Sequence, residues 1–278
     1  MTLFFLIKFF AAVIIVVGLS VLSEKVSPKI AGIIAGCPTG TAISLFYFGY
    51  EISPDFASKS ARYNMLGVLS MLSFSYVYYL VSSRCFLSGG LFKINSHKYE
   101  KFLKIILSVL TSVIAFLFLA YLIQKTELNL FLNIFFPLSG ITFFIFLFRK
   151  IPDTVIENRI KLSFKIICIR GLFAASIILF VTEVAKFLSP QWAGVLSSFP
   201  TTLLPLLLII HFSYLDKNVH TIIKNVPLGA YSLVLYSFLV SYSYPKIGVT
   251  YGTISSMAIS LLYLLAQNKF FNTLSLRK

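Results

Sequence analysis

An apolar segment that interrupts its own helix, and that occurs twice, is the feature that most constrains how this chain folds. Residues 27–41 begin a hydrophobic span and carry Pro38 in its middle, between Gly36 and Gly40. Proline lacks the N–H that a helix interior needs and its ring clashes with the preceding turn, while glycine leaves the backbone soft. In lipid, such a break is tolerated only where it is buried in protein or lines a water-filled cavity.

The second copy of this segment lies 162 residues further along, over residues 189–202. The identical pairs within the two copies are Ser27 and Ser189, Pro28 and Pro190, Ala31 and Ala193, Gly32 and Gly194, Pro38 and Pro200, and Thr39 and Thr201. The same offset, without a gap, aligns Lys8 with Arg170 upstream and Ser70 with Ser232 downstream. This match predicts an internal duplication, and a repeat constrains the fold more than any local feature does.

The composition is that of a membrane protein. Of the 278 residues, 58% are apolar and only 12% are charged, whereas soluble domains carry about 25% charged residues. Several apolar runs reach the ~20 residues that a helix needs to cross a bilayer. We therefore predict an all-α polytopic membrane protein with about nine spans. The predicted spans are residues 2–22, 29–50, 61–82, 103–124, 127–148, 163–185, 190–213, 226–245 and 248–267.

The positive charge indicates orientation rather than nucleic-acid binding. The formal net charge is +15, and with nine spans most Lys and Arg residues fall on one side, which is expected to be cytoplasmic. This puts the N-terminus outside and the C-terminus inside, in a prokaryotic inner membrane, with lipids and no nucleic acid as partners. A ten-span alternative, in which residues 85–97 also cross, has a similar charge bias. Only the shortness of that apolar piece opposes it.

The spans divide into two units and a connection. Residues 1–126 form repeat one, with four spans and an insertion near 83–101 that we expect to be a cytoplasmic amphipathic or re-entrant element. Residues 127–160 supply a connecting span and a cytoplasmic loop, and residues 161–278 form repeat two with four spans. Because five spans precede the second repeat, the repeats should be inverted. Inverted repeats with broken helices are typical of secondary transporters, whose sites lie near the bilayer midplane.

The breaks predict a substrate site. The second half-helices would start at Thr39 and Thr201, and a helix N-terminus offers unpaired N–H groups and a partial positive charge to an anion. The alternative is two simple proline kinks, but their matched positions favour a shared cavity. The predicted substrate-binding residues are Lys8, Pro38, Thr39, Gly40, Thr41, Ser70, Arg170, Ser198, Pro200, Thr201, Thr202 and Ser232.

Two of these residues are cations inside apolar spans. Lys8 and Arg170 either face a solute pathway or extend their heads to the membrane surface. No acidic residue lies deep in a span to neutralise them, so the cavity is predicted to attract anions. Ser70 and Ser232 either allow close helix packing or line the cavity that the repeat forms.

The broken core resembles a known family. The core from Ile30 to Thr39, and its second copy from Trp192 to Thr201, are similar to the "IAG…FPT" core of the small bacterial GlpM-type membrane proteins. Those proteins are about one repeat long and carry a basic residue early in their first span, where this chain has Lys8 and Arg170. The resemblance extends over residues 8–50 and 170–212. Cys37 stands where the family has Phe. A half-length relative would fit an antiparallel dimer that later fused, so the resemblance implies the repeat architecture and names no substrate.

Three functions remain open on the sequence. The leading hypothesis is a secondary transporter or facilitator of a small anionic or polar solute that works by alternating access. The alternatives are a lipid-linked carrier or flippase for a polyprenyl phosphate or lipid head group, and a non-transporting scaffold or subunit. An enzyme is not expected, because catalytic and nucleotide motifs are missing and His97, His211 and His220 fall at loops or span ends. No cofactor or metal is expected either.

Overall fold

The structure is a computed structural model in which all regular structure is helical among the residues it describes. It describes residues 10, 13, 14, 18, 26–83, 97–154 and 164–275. The predicted all-α class is therefore confirmed. Residues 84–96 of the predicted insertion near 83–101, and most of the first span, residues 2–22, lie outside the described residues, whereas residues 97–101 belong to a helix.

Ten helices follow one another in the described part of the chain. They are α1 (Pro28–Ala35), α2 (Thr39–Glu51), α3 (Pro54–Ser83), α4 (His97–Ile123), α5 (Leu130–Phe148), α6 (Phe164–Val184), α7 (Pro190–Ser197), α8 (Leu203–Ser213), α9 (Asp216–Ile247) and α10 (Val249–Ser275). A short 3-10 turn over Ala185–Phe187 joins α6 to the segment before α7.

Six segments of the described chain are long and apolar enough to cross a membrane. They are the α1–α2 pair taken together, α3, α4, α5, α9 and α10. This identifies an integral membrane protein. Of the three other predicted spans, residues 163–185 correspond to α6 and residues 190–213 to the α7–α8 pair. The count of nine spans stays a prediction.

Three long helices begin earlier than the hydropathy predicts, and one of them, α4, starts at His97 rather than at residue 103. Helix α3 starts at Pro54 rather than at residue 61, and α9 starts at Asp216 rather than at residue 226. Both opening turns are polar, so an apolar window excludes them although the helical backbone is continuous. At the start of α3, Ser53 Oγ accepts a hydrogen bond from the Phe56 N–H at 3.1 Å, as an N-cap residue does.

Helices α3 and α9 form an antiparallel pair at the centre of the bundle. Near their middles, Ser237 Oγ donates to Asn64 Oδ1 at 2.7 Å. Toward one end, Ser82 Oγ lies 3.0 Å from His220 Nε2. The residue number therefore falls along α9 as it rises along α3. These two antiparallel helices are the ones that the internal alignment pairs with each other.

Each broken span packs against the central helix of the other half. A Cβ on Gly32 of α1 would overlap the Ile222 carbonyl oxygen of α9, and a Cβ on Gly194 of α7 would overlap the Ser60 carbonyl oxygen of α3. Gly32 and Gly194 are 162 positions apart, as are Ser60 and Ile222. Small residues let helices approach this closely in lipid. This close contact between a broken span and a central helix is thus present at both equivalent positions.

Both broken spans traverse the bundle instead of turning back. Further along α2, a Cβ on Gly49 would lie 3.2 Å from the Tyr244 ring, near the end of α9. Further along α8, His211 Nδ1 lies 3.0 Å from Tyr78 OH, near the end of α3. The α1–α2 pair therefore runs parallel to α9, and the α7–α8 pair runs parallel to α3.

The remaining helices surround this core. Helix α5 packs against both central helices: Gly140 lies on the Leu69 side chain of α3, and Thr142 Oγ1 is 2.9 Å from Tyr231 OH of α9. Helix α6 packs on α2. Helices α4, α5 and α10 leave most of their apolar side chains exposed, which suits faces that contact lipid.

Candidate functional site

The first break separates α1 from α2 at Pro38. Helix α1 ends at Ala35, and α2 begins at Thr39. The Thr39 N–H bonds the Cys37 carbonyl at 2.8 Å in a tight turn, and the first helical bond of α2 runs from Ala42 N–H to the Pro38 carbonyl at 2.7 Å. The N-cap position of α2 is occupied by Pro38, so no side chain caps this helix.

The second break repeats this backbone pattern. The Thr201 N–H bonds the Phe199 carbonyl at 2.7 Å, and the Leu204 N–H bonds the Pro200 carbonyl at 2.9 Å. Both bonds match those of the first break at the offset of 162 residues. Helix α7 ends at Ser197 and α8 begins at Leu203. The predicted unwinding near Pro38 and Pro200 is confirmed in both spans.

The two breaks meet and cap one another. Thr41 Oγ1 donates to the Ser197 carbonyl at 3.0 Å, and Thr202 Oγ1 donates to the Ala35 carbonyl at 3.3 Å. Ala35 and Ser197 are the last residues of α1 and α7, whose carbonyls have no partner within their own helix. The segment that follows each break therefore supplies a hydrogen-bond donor to the last carbonyl of the half-helix that ends before the other break.

This contact lies at the middle of the central helices. Gly67, halfway along α3, faces Ser198 of the second break, and Gly229, halfway along α9, faces Gly36 of the first. At the crossing itself, a Cβ on Gly40 would be 3.3 Å from Thr201 Cβ. The predicted approach of the two breaks is therefore observed.

Two hydroxyl groups at this level have no hydrogen-bond partner among the described residues. Thr39 Oγ1 opens α2, and its residue is 4% exposed; Ser70 Oγ lies one turn after Gly67 on α3, and its residue is fully buried. Buried polar atoms are nearly always paired with protein or ordered water. Neither hydroxyl uses its hydrogen-bonding capacity on a described residue.

The other predicted site serines are satisfied within their own segments. Ser198 Oγ donates to the Val195 carbonyl and Ser232 Oγ to the Gly229 carbonyl, both at 2.7 Å. They lie at the crossing, but their donors are already used. This distinguishes them from Ser70.

The structure does not test the two predicted cations. Lys8 lies outside the described residues. Arg170 belongs to α6, but its side chain lies outside the described part as well. Helix α6 packs on α2 through Ala175 and Ile178, which join Ile43 in a buried cluster. The role of both cations stays a prediction.

Asn64 is a site residue that the sequence did not single out. Its amide nitrogen donates to Ser197 Oγ at 2.7 Å and to the Gly194 carbonyl at 3.3 Å, and its amide oxygen accepts from Ser237. One fully buried side chain thus joins α3, α7 and α9. The available signal was an isolated amide in an apolar span, since interhelical hydrogen bonds in lipid come from such residues.

A second polar cluster lies at the end of α8. His211 contacts Tyr78 on α3 and Asp216 at the start of α9, and Asp216 binds Lys104 of α4. The sequence places His211 only at a span end. Its partners are far apart along the chain or lie across a helix–helix turn, so no local motif marks them.

Comparison with known proteins adds no relative: the chain matches no family model, no curated protein and no solved structure. The resemblance to GlpM-type proteins therefore stays a hypothesis.

Proposed function

We propose that this protein is a secondary transporter or facilitator that moves a small anionic or polar solute between its two broken spans by alternating access. One observation carries the proposal: the breaks cap each other at the middle of the bundle, while Thr39 Oγ1 and Ser70 Oγ remain buried and unpaired there. Broken helices that meet at the midplane are how many secondary transporters form their substrate sites.

The proposed architecture is two inverted repeats of five and four spans, with the N-terminus outside and the C-terminus cytoplasmic. The antiparallel α3–α9 pair supports it, because those helices are equivalent in the internal alignment. The exchanged contacts of Gly32 and Gly194 also support it. Reporter fusions at the two termini should fall on opposite sides of the membrane, and finding them on the same side would contradict the inverted repeats.

The proposed solute is anionic because of the charges that the sequence supplies. Helices α2 and α8 both begin at the crossing, where helix N-termini favour negative charge. Lys8 and Arg170 are the cations predicted at equivalent positions. A cation at the centre of a bilayer costs at least about 2.5 kcal/mol on insertion scales, so an anion or cavity water would offset part of that cost.

Alternating access requires that the hydrogen bonds by which the two breaks cap each other can break and form again. Thr41 and Thr202 hold the crossing through one hydrogen bond each, and a typical bond of this kind contributes only about 1 kcal/mol net. A solute that hydrogen-bonds Thr39 and Ser70 could offset the loss of a cap when one broken span moves against the other. The glycine contacts with α3 and α9 would keep the two spans in register.

The test is exchange of labelled anions by the purified protein in proteoliposomes. Inorganic phosphate, sulfate, acetate and lactate serve as probes, with the same lipid lacking protein as the blank. We expect at least one probe to exchange, and we expect Lys8→Met, Arg170→Met and the double variant Thr39→Val/Ser70→Ala to slow it. Lys59→Met, which changes an exposed lysine, is the matched control and should exchange like the parent.

The other hypotheses give different outcomes in the same vesicles. A lipid-linked carrier would transfer a fluorescent anionic phospholipid between leaflets without exchanging the soluble anions. A scaffold would do neither. If Lys8→Met and Arg170→Met both exchange anions as fast as the parent, the anion site is wrong and the two cations extend to the membrane surface.

A further inference from the structure

A line of four polar side chains connects the surface to the interior at the end of the second broken span. Tyr78 OH lies 3.0 Å from His211 Nδ1, and His211 Nε2 lies 3.2 Å from Asp216 Oδ1. The other carboxylate oxygen of Asp216 binds Lys104 Nζ at 2.5 Å. Tyr78 and His211 are fully buried, whereas the Asp216 side chain is 37% exposed. The carboxylate is therefore the point at which this line meets water.

The geometry keeps Tyr78 as the partner of His211 Nδ1 in either protonation state: Tyr78 OH donates to Nδ1 of the neutral ring, and Nδ1 of the charged ring donates to the Tyr78 oxygen. The other nitrogen, Nε2, lies 3.2 Å from the Asp216 carboxylate but makes no aligned hydrogen bond with a described residue. Histidine is the side chain whose charge most readily changes near neutral pH.

Other charged and titratable groups of the described chain surround this end. Lys104 is already held by Asp216. Lys101 of α4 binds the Phe212 carbonyl in the last turn of α8 and the Tyr214 carbonyl just after it, at 3.4 and 3.1 Å. Those cations oppose a further positive charge on His211.

His220 of α9 is the second histidine at this end. Its Nε2 lies 3.0 Å from Ser82 Oγ, and its ring stands against Tyr79 at 4.9 Å. Glu100 lies one turn before Lys104 on α4. Among these groups, Asp216 is the carboxylate that contacts both His211 and Lys104, and it is the negative charge nearest to His211.

His211 is connected to the crossing of the two breaks through its own helix and through contacts between aromatic rings. It lies on α8, an 11-residue half-helix that begins at Leu203, directly after the second break. An aromatic contact chain also runs along α3: the Tyr78 and Phe74 rings are 6.2 Å apart, and Phe74 is 6.2 Å from Phe199 of the break. A change in how His211 is held would therefore be transmitted to the residues that line the proposed site.

We propose that His211, supported by Asp216, is a proton-binding site that couples proton entry to the position of half-helix α8, so that the transported anion moves together with a proton. The coupling rests on the proposed transport function; the proton site itself does not. The site occurs once, because the first half has Gly49 and Pro54 where the second has His211 and Asp216.

The proton site is tested first, without any solute. The protein is labelled with ¹³C and ¹⁵N in its histidines, placed in lipid nanodiscs and titrated by NMR. Signals are assigned with His97→Gln, His211→Gln and His220→Gln. We expect the His211 ring to pass from its neutral to its doubly protonated form during the titration. Asp216→Asn should lower the midpoint by about one pH unit or more, because it removes the adjacent negative charge. A His211 ring that keeps one protonation state throughout, or a midpoint that Asp216→Asn leaves in place, overturns the proton site.

Coupling is tested in the proteoliposomes of the exchange assay, with the probe anion that exchanges fastest. A pH gradient, acidic outside, should drive accumulation of that anion and acidify a trapped pH dye. His211→Gln should lower the ratio of gradient-driven accumulation to exchange at equal pH by about tenfold. His220→Gln is the matched control and should keep the parent ratio.

The outcomes separate the two proposals. If the parent exchanges anions but a pH gradient drives no accumulation, proton coupling is wrong and the transport proposal stands. If the parent exchanges no anion, both transport and coupling are wrong, and the NMR titration alone decides the proton site.

Discussion

The two breaks share one backbone geometry and differ in the side chains around it. At the first break, Gly36 packs against the backbone of α9 at Gly229; at the second, Ser198 packs against Gly67 of α3. The turn bonds after Pro38 and Pro200 are nevertheless the same. The comparison shows that the proline and the close helix contact define the break, and that the neighbouring side chains can vary.

The far ends of the broken spans differ more. Helix α2 approaches its end through Gly49, which lies against the Val249 side chain and the Tyr244 ring. The equivalent position of α8 is His211, which contacts Tyr78 and Asp216. The end of α2 also carries an ion pair, because Glu51, its last residue, lies 3.2 Å from Lys186. The two broken spans therefore share their crossing, and at their far ends only α8 brings a histidine against a carboxylate among the described residues.

The largest effect is expected from filling the glycine contacts. A Cβ on Gly229 would overlap the Ile33 carbonyl and lie 3.0 Å from Gly36 backbone atoms, none of which can rotate away. Gly229→Ala should lower the free energy of unfolding by about 1–3 kcal/mol. The equivalent Gly67→Ala should cost less, because its nearest neighbour is Ser198 Oγ at 2.5 Å, a side-chain atom.

Thermal unfolding in detergent measures both variants. Gly140→Ala is the control, since its Cβ would meet only the flexible Leu69 side chain. Equal losses for Gly229→Ala and Gly140→Ala would show that the backbone contact between α1 and α9 is not tight.

A smaller difference is expected between two equivalent serines. Ser237 donates across to Asn64, whereas Ser75, its counterpart in the first half, donates to the Met71 carbonyl of its own helix, at 3.0 Å. Ser237→Ala should destabilise the protein by about 1 kcal/mol, because it leaves the buried Asn64 oxygen unpaired. Ser75→Ala should stay within about 0.5 kcal/mol of the parent. Equal effects in chemical unfolding would mean that the Asn64 bonds do not join the helices.

The smallest effect on stability is expected at Thr39. Thr41→Val removes the bond to the Ser197 carbonyl and should cost about 1 kcal/mol. Thr39→Val removes a hydroxyl that has no partner among the described residues, so unfolding should be unchanged or slightly harder. Anion exchange should nevertheless slow in Thr39→Val. A clear loss of stability in this variant would indicate that Thr39 is structural.

Much of this fold follows from local sequence signals. The breaks could be predicted because proline and glycine act on the backbone where they stand, and the membrane class follows from apolar length. The early starts of α3 and α9 were missed because polar turns such as the one at Asp216 continue a helix beyond the apolar core.

The polar contacts could not be predicted in the same way. Asn64 meets Ser197 and Ser237, and Tyr78 meets His211, across more than 130 positions of sequence. Such pairs are defined by how helices pack, and a single sequence gives no measure of that packing. The repeat indicated which segments correspond, but His211 and Asp216 have no counterpart in the first half.

The central claim is that the two breaks touch, and a cross-link tests it most directly. Gly40→Cys and Thr201→Cys are combined in a protein whose Cys37, Cys85 and Cys168 are replaced by serine, with a protease site inserted at residues 155–163. The Cβ positions are 3.3 Å apart, close to the ~3.8 Å of a disulfide. After oxidation in membranes and cleavage, the account predicts that the halves stay joined until a reductant is added. The pair Gly40→Cys and Thr250→Cys, which uses an exposed position at the start of α10, should not join them. Halves that separate in both proteins without reductant would contradict the account.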